Sequence, residues 1–171
     1  MIVVEGFDGS GKSTLALKIG RALTWPIVHT GGPTKDEDDV IRCLMRSRNR
    51  MGLHNVQDRI THVSEACYSM LTKPKQAALA VQCLRDFNDR VTVIYCRPPT
   101  DFLLEEGTRH VDKEHDPPGH MDVVRSNARQ MIAIYDTVMQ VVGHRTGLIV
   151  YDRTIDGTDE QIVQKMCRRY K

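Results

Sequence analysis

Eight residues constrain this chain more than any others: Gly6-Phe7-Asp8-Gly9-Ser10-Gly11-Lys12-Ser13, which satisfies G-x-x-x-x-G-K-[S/T]. They follow a run of β-branched residues, Ile2-Val3-Val4. They open a segment, Lys12 to Leu23, in which Leu15, Ile19, Ala22 and Leu23 recur on one side of a helix. A strand that must turn sharply into a helix needs glycine, because only a backbone without Cβ can curl so that successive N–H groups converge. Convergent N–H groups at a helix N-terminus make an anion site, and a lysine beside them reaches the outer phosphates of a nucleoside triphosphate. Gly9, Ser10, Gly11, Lys12, Ser13 and Thr14 are therefore the predicted ATP site, with the Ser13 hydroxyl as a ligand for Mg²⁺.

The remaining pattern extends the strand–helix alternation. Trp25 to His29 reads as a second strand, and Gly31-Gly32-Pro33 breaks the chain. The acidic run Asp36 to Asp39 suits the N-terminus of a helix running to about Arg50. Asn55 to Gln57 reads as a short strand leading into Asp58-Arg59, with Ser64 as the cap of a helix over Glu65 to Leu71. Pro74 interrupts before a helix over Gln76 to Phe87, and Val91 to Cys96 is the clearest inner strand. Thr108 to His120 has no periodicity and reads as a mobile lid. Met121 to Val142 supports one long helix, Gly147 to Tyr151 a last strand, and Thr158 to Tyr170 a closing helix capped by Thr158. Strand-crossover-strand units of this kind give a parallel sheet with helices on both faces. The expected architecture is a three-layer α/β/α P-loop NTPase fold with a five-stranded parallel sheet, one domain over residues 1–171 with a lid at 108–120.

Composition narrows the partners. With 24 basic and 22 acidic side chains the net charge is +2, too small for a dedicated nucleic-acid coat. Five cysteines without a close pair point to reduced thiols rather than disulfides or a zinc knuckle. The chain opens directly on a strand-like run, and no apolar stretch approaches the ~20 residues that cross a bilayer. The expectation is a cytoplasmic enzyme with no membrane partner.

Two blocks resemble the thymidylate-kinase branch of the nucleoside monophosphate kinases. One is E-G-x-D-G-x-G-K-S, here Glu5 to Ser13. The other is D-R-Y-x-x-S-x-x-A-Y, matched by Asp58, Arg59, Ser64, Ala66 and Tyr68, with Ile60 in place of the usual Tyr. The resemblance implies that Asp8 lies between the loop and the acceptor, that Asp58 serves the Mg²⁺ and acceptor side, and that Arg59 contacts the acceptor phosphate or the transferring group. It places Tyr68 in the acceptor site and implies dimerisation through helices, which is common in that family. An alternative for Asp58 and Arg59 is a structural ion pair at a strand end. The base-reading part of the family pattern is absent: Ser69 stands where the family has Gln, and no Phe lies between Phe7 and Phe87. The Gly31-Gly32-Pro33 turn, Arg97-Pro98-Pro99 and the small size also resemble kinases encoded by large DNA bacteriophages, which would put the protein in the host cytoplasm. Some of those act on free deoxynucleotides and others on hydroxymethylated bases in DNA.

Charge supplies the remaining candidates. Phosphoryl transfer needs cations around the equatorial oxygens, and the loop contains no arginine, so Arg109 in the lid is the candidate transition-state clamp. His110, His115 and His120 match no standard zinc spacing, which leaves Mg²⁺ as the expected metal. Arg42, Arg46 and Arg50 recur every four residues along one helix face, which is either solvated or grips an acceptor phosphate or a DNA backbone. Arg97 completes the acceptor candidates. Three functions fit: an ATP-dependent kinase of deoxynucleoside monophosphates such as dTMP, a kinase of 5-hydroxymethyluracil in DNA, or a nucleotide-binding switch without transferase activity.

Overall fold

The computed structural model describes residues 1–30, 34–109 and 120–171. Five strands form an all-parallel sheet: β1 (Ile2–Glu5), β2 (Ile27–Val28), β3 (Val56–Asp58), β4 (Thr92–Cys96) and β5 (Gly147–Tyr151), in the order β2-β3-β1-β4-β5. Register centres on β1, where Ile2 faces Val56 on one side and Thr92 on the other. The helices are α1 (Lys12–Leu23), α2 (Glu37–Arg50), α3 (Thr61–Tyr68), α4 (Pro74–Cys83), α5 (Thr100–Arg109), α6 (His120–Ser126), α7 (Ala128–Gly143) and α8 (Thr158–Tyr170), with a 3₁₀ turn at Leu84–Asp86.

Alternation along the strands divides the core into two. Val3, Val93 and Tyr95 face a cluster with Val63 of α3, Ala80 of α4, Leu103 of α5 and Met131, Tyr135 and Met139 of α7. Ile2, Val4, Ile94 and Cys96 face Leu15 and Ile19 of α1 and Ile162 and Met166 of α8. Every residue of β1 and β4 is buried, which is why those strands read as continuous apolar runs. Because the strands are parallel, the segments after β1, β2, β3, β4 and β5 all emerge at one edge. Ligand crevices of open α/β sheets form outside the carboxyl ends of the strands.

Several expected boundaries move for identifiable reasons. Ser64 does not cap a helix; it lies inside α3, which starts at Thr61, and its hydroxyl donates to Glu5 Oε1 at 3.0 Å. The Ile60 N–H donates to the same oxygen at 2.7 Å, so the carboxylate of β1 terminates α3 in place of a local cap. Pro74 begins α4 rather than interrupting the chain, since the first helical position needs no N–H. α8 is capped by Gly157, at φ 71°, while the Thr158 hydroxyl donates to the Ile155 carbonyl at 2.6 Å. The long helix expected from Met121 divides at Asn127, whose side-chain amide donates to the Val123 carbonyl at 2.8 Å and competes with the helical ladder. α5 has no counterpart among the expected elements; among its described side chains Leu103 is the one fully buried against the core. The turn at residues 31–33 and most of the expected lid, 108–120, lie outside the described residues.

Candidate phosphate-binding and acceptor site

The glycine loop joins β1 to α1 through two tight passages. A Cβ on Gly6 would lie 2.4 Å from the Cys96 carbonyl oxygen, so only glycine lets the loop leave β1 against β4. Gly11 caps α1 at φ 87°, a left-handed conformation that disfavours any side chain. Phe7 is buried in the core and anchors the loop, and its carbonyl accepts the Ser10 N–H at 3.2 Å. No acidic side chain occupies the first turn of α1, and Ser13 and Thr14 are exposed there. The helix dipole and loop N–H groups thus face an opening suited to an anion. The buried Ser10 hydroxyl has no partner among the described residues.

Lys12 curls back over this loop. Its ammonium donates to the Phe7 carbonyl and to Asp8 Oδ1, both at 3.3 Å. Asp8 Oδ1 also accepts from the Arg59 guanidinium, and Asp8 Oδ2 accepts the Tyr68 hydroxyl at 2.8 Å. Arg59 follows β3, with its guanidinium 5.7 Å from the Tyr68 ring centroid, and Tyr68 ends α3. Three elements distant in sequence therefore converge on one carboxylate.

The electrostatics of this cluster are unequal. Burial opposes ionisation of Asp8, but Lys12, Arg59 and the Tyr68 hydroxyl outweigh it and hold its pKa well below the usual carboxylate range. Burial lowers the Lys12 pKa, and repulsion from Arg59 adds to this against the pull of Asp8 and Glu5. The two partners shift down for different reasons: burial and Arg59 lower Lys12, while the two cations and the Tyr68 hydroxyl lower Asp8. Glu5 is fully buried behind them, and burial raises its pKa against Arg59, the Ile60 N–H, Lys12 and Ser64. Arg59 itself sits at φ 69°, with its N–H on the Val4 carbonyl at 3.1 Å and its carbonyl taking the Thr30 hydroxyl at 3.2 Å. That left-handed conformation costs roughly 1–2 kcal/mol in a residue with Cβ and persists because both backbone groups are tied.

Asp58 ends β3 beside the loop. Burial opposes its ionisation, while His29, the Ser13 hydroxyl and Lys12 keep its pKa below the usual range. One carboxylate oxygen, Oδ1, is buried with no hydrogen-bond partner among the described residues. An ionised, unpartnered oxygen next to a hydroxyl at the phosphate end of α1 fits Mg²⁺, a hard cation that takes few protein ligands beside phosphates and water.

Other expected site residues lie elsewhere. Arg97 locks β4 to α7: Nε donates to Asp136 Oδ1 at 2.7 Å and Nη2 to Oδ2 at 3.0 Å, with Nη1 on the Pro98 carbonyl at 2.7 Å. That guanidinium is engaged by the protein itself. Arg42 and Arg46 are exposed on α2, and Arg42 pairs with Asp39 of its own helix at 3.3 Å. The backbone of Arg109 closes α5; its side chain, His110 and His115 lie outside the described residues.

One residue at the loop escaped sequence reasoning. Arg153, just after β5, donates from Nη1 to the Gly9 carbonyl at 3.0 Å, and its guanidinium lies 5.4 Å from the Phe102 ring centroid. A signal existed, since β3 and β5 both run into an Asp-Arg pair, Asp58-Arg59 and Asp152-Arg153. Glu5 was legible only as part of the opening block, and its role as the terminus of α3 was not.

No family model matches this chain, and no curated protein matches it. Among solved structures, the YorR protein of Bacillus subtilis in complex with phosphorylated GDP superposes with a TM-score of 0.69 at 16% identity, covering 98% of this chain and 94% of that one. Deoxyadenosine kinase from M. mycoides with bound dCTP gives 0.63 at 16% identity, covering 97% of this chain and 98% of that one. The same enzyme with products dCMP and a flexible dCDP gives 0.65 at 15% identity over 99% of both. At these identities the likeness shows the fold alone, a parallel sheet flanked by helices.

Proposed function

We propose that this chain is an ATP-dependent phosphotransferase that moves the γ-phosphoryl group to the phosphate of a deoxynucleoside monophosphate such as dTMP. The observation that carries this is the Asp8–Lys12–Arg59–Tyr68 cluster beside the glycine loop. Gly9 to Thr14 bind the ATP phosphates, and Lys12 and Arg59 stabilise charge on the transferring group. Ser13 and Asp58 would hold Mg²⁺, which would supply charge neutralisation at the phosphate oxygens. Asp8 and Tyr68 position the acceptor, and Arg109, whose backbone closes α5 where the expected lid begins, is the candidate clamp.

The pKa of Asp8 favours a phosphate acceptor over an alcohol. An alcohol acceptor calls for a general base, which works best when its pKa lies near the working pH. Asp8 and Asp58 are both held below the usual carboxylate range. Glu5, whose pKa is raised, is fully enclosed and already accepts from Ile60 and Ser64. A phosphate acceptor is already nucleophilic near neutral pH, so alignment and charge stabilisation suffice. The complexes of YorR with phosphorylated GDP and of deoxyadenosine kinase with the products dCMP and dCDP support an acceptor of nucleoside or nucleotide class. One observation favours a DNA substrate instead, the exposed Arg42, Arg46 and Arg48 on α2, although Glu37, Asp38 and Asp39 on its first turn oppose a polyanion.

The test supplies γ-labelled ATP with deoxynucleoside monophosphates, deoxynucleosides, plain DNA and hydroxymethyluracil-containing DNA. Label is expected in a free deoxynucleoside diphosphate. Label confined to nucleoside 5′-phosphates or to polymer overturns the acceptor assignment, and absence of any labelled product overturns the transferase. Lys12→Met should lower turnover by at least roughly 10²-fold.

A further inference from the structure

Charge is sorted between the two edges of the sheet. Because the strands are parallel, all five begin at the edge opposite the phosphate loop, and the helices that follow β1, β2 and β5 return to it. The basic residues in the last turns of those helices, Arg21 of α1, Arg48 and Arg50 of α2, and Arg168 and Arg169 of α8, therefore stand at one face. Arg90 and Arg145, just before β4 and β5, join them. Asp86 and Asp89 are the acidic side chains of the same turns and loops, and Asp86 Oδ2 already pairs with Arg48 Nε at 3.9 Å. The acidic first turns of α2 and α8 lie at the other edge. A net charge of +2 thus conceals a separated distribution, positive on the face remote from the phosphate loop. Helix dipoles account for cations at helix C-termini, but not for Arg90 and Arg145, which lie in loops. Among the described residues no ion pair engages Arg21, Arg50, Arg90, Arg145 or Arg169.

An aromatic stack opens on the same face. Trp25, just before β2, stacks on His54, just before β3, with ring centroids 4.9 Å apart and planes 18° apart. Tyr170 meets the indole edge-on at 5.2 Å, and its hydroxyl bonds the Thr92 hydroxyl at 2.6 Å, which ties the end of α8 to the start of β4. The Arg169 guanidinium lies 5.6 Å from the Tyr170 ring centroid. It also reaches the start of β5, since a Cβ on Gly147 would lie 3.3 Å from its Nη1. Trp25 and Tyr170 are half-buried, whereas His54 is exposed. The imidazole therefore covers the indole with one face and turns the other to solvent.

Unpaired guanidiniums around an open ring face call for a partner that is both polyanionic and planar. An anionic membrane or an acidic protein supplies the charge without the planar groups. A duplex keeps its bases inside its own stack. A single strand offers phosphates to the arginines and free base faces to the aromatic stack. We propose that the face formed by the strand starts binds single-stranded nucleic acid. One base continues the Trp25–His54 stack, and the phosphates follow Arg90, Arg145 and Arg169. A strand bound there leaves the phosphate loop open, because the two lie at opposite edges of the sheet. This face is a docking surface, separate from the acceptor site.

The test follows the anisotropy of a labelled oligothymidylate titrated with the whole chain between about 50 and 200 mM salt. Binding should weaken with salt at a log–log slope of roughly −3, the value for about four phosphates of a single strand. His54→Ala should weaken binding about tenfold at an unchanged slope, because it removes a stacking surface and no phosphate contact. The double variant Arg90→Glu/Arg145→Glu should weaken it further and flatten the slope. ADP affinity should be unchanged in each variant, and saturating ADP should leave the oligonucleotide bound. Four results would overturn the proposal: no binding at about 50 mM salt; either variant binding like the unmodified protein; a duplex, polyglutamate or phosphatidylserine vesicles binding as tightly; or displacement of the oligonucleotide by ADP. Absence of a labelled phosphotransfer product removes the transferase reading alone and leaves this face standing.

Discussion

Asp8→Asn tests whether the site is organised around one shared carboxylate. The Asp8 side chain is 15% exposed and serves two cations, with Lys12 at 3.3 Å. At an effective dielectric of roughly 20, a unit charge pair at that separation attracts by about 5 kcal/mol before desolvation is subtracted. Removing one partner of a buried pair typically costs about 3–5 kcal/mol. Glu5 remains as a second counter-charge for both cations, which places the loss near the lower figure, about 3 kcal/mol at pH 7. In a chain of this size that lowers Tm by roughly 6–12 °C. The loss must also depend on pH. Because the folded pKa of Asp8 is depressed, its contribution is complete above the unfolded value of 3.8 and is lost as pH falls below it. The difference between the two proteins should therefore shrink by about 1 kcal/mol between pH 5 and pH 3. Urea unfolding of both proteins at pH 7, 5 and 3 measures this. A difference below about 1 kcal/mol at pH 7, or one that stays constant down to pH 3, would refute the charge-sharing account.

Gly11→Ala should lose ADP affinity and about 1–2 kcal/mol of stability, since φ is 87° and the new Cβ would lie 2.9 Å from Arg153 Cδ. Adding Arg153→Ala relieves the clash but not the backbone strain, so a double-mutant cycle by calorimetry and urea unfolding should recover only part of the loss. Arg97→Lys breaks the bidentate bond to Asp136 and should cost about 1 kcal/mol at this partly exposed pair, with the acceptor KM unchanged; a raised KM would return Arg97 to the acceptor site. His62 is fully buried, and burial together with Arg48 pulls its pKa down from 6.5 to about 4 against the pull of Asp86. Its neutral form is the folded form, so its contribution is complete above pH 6.5 and about 3 kcal/mol should be lost by pH 4. His62→Phe should flatten stability across that window in urea titrations, and an unchanged slope would remove His62 as the cause.

The acceptor side was harder to see than the donor side because its contacts join distant segments. Lys12 and Ser13 sit within one glycine loop, where spacing along the chain is also spacing in space. Tyr68 reaches Asp8 across 60 residues and Glu5 binds Ile60 across 55, so no local pattern encodes either bond. Arg97 illustrates the converse. A basic residue at the end of an inner strand has the expected position for a substrate contact, yet Asp136 on α7 engages it.

By itself the sequence determined the parallel sheet, the helix that follows the glycine loop and the position of the phosphate site. β1 and β4 are buried on both faces and mostly apolar, and the loop glycines have no substitute at their conformation. Only the tertiary structure decided how the remaining charges are used. It caps the start of α3 with Glu5, gives Asp8 to Lys12, Arg59 and Tyr68 together, and lays Arg153 across the loop from the far edge of the sheet. Periodicity reports which residues face a core, through local repeats of two or 3.6 residues. A charge in a low-dielectric site is fixed by whichever partner the fold brings within a few ångströms, and that partner need not be near in the chain.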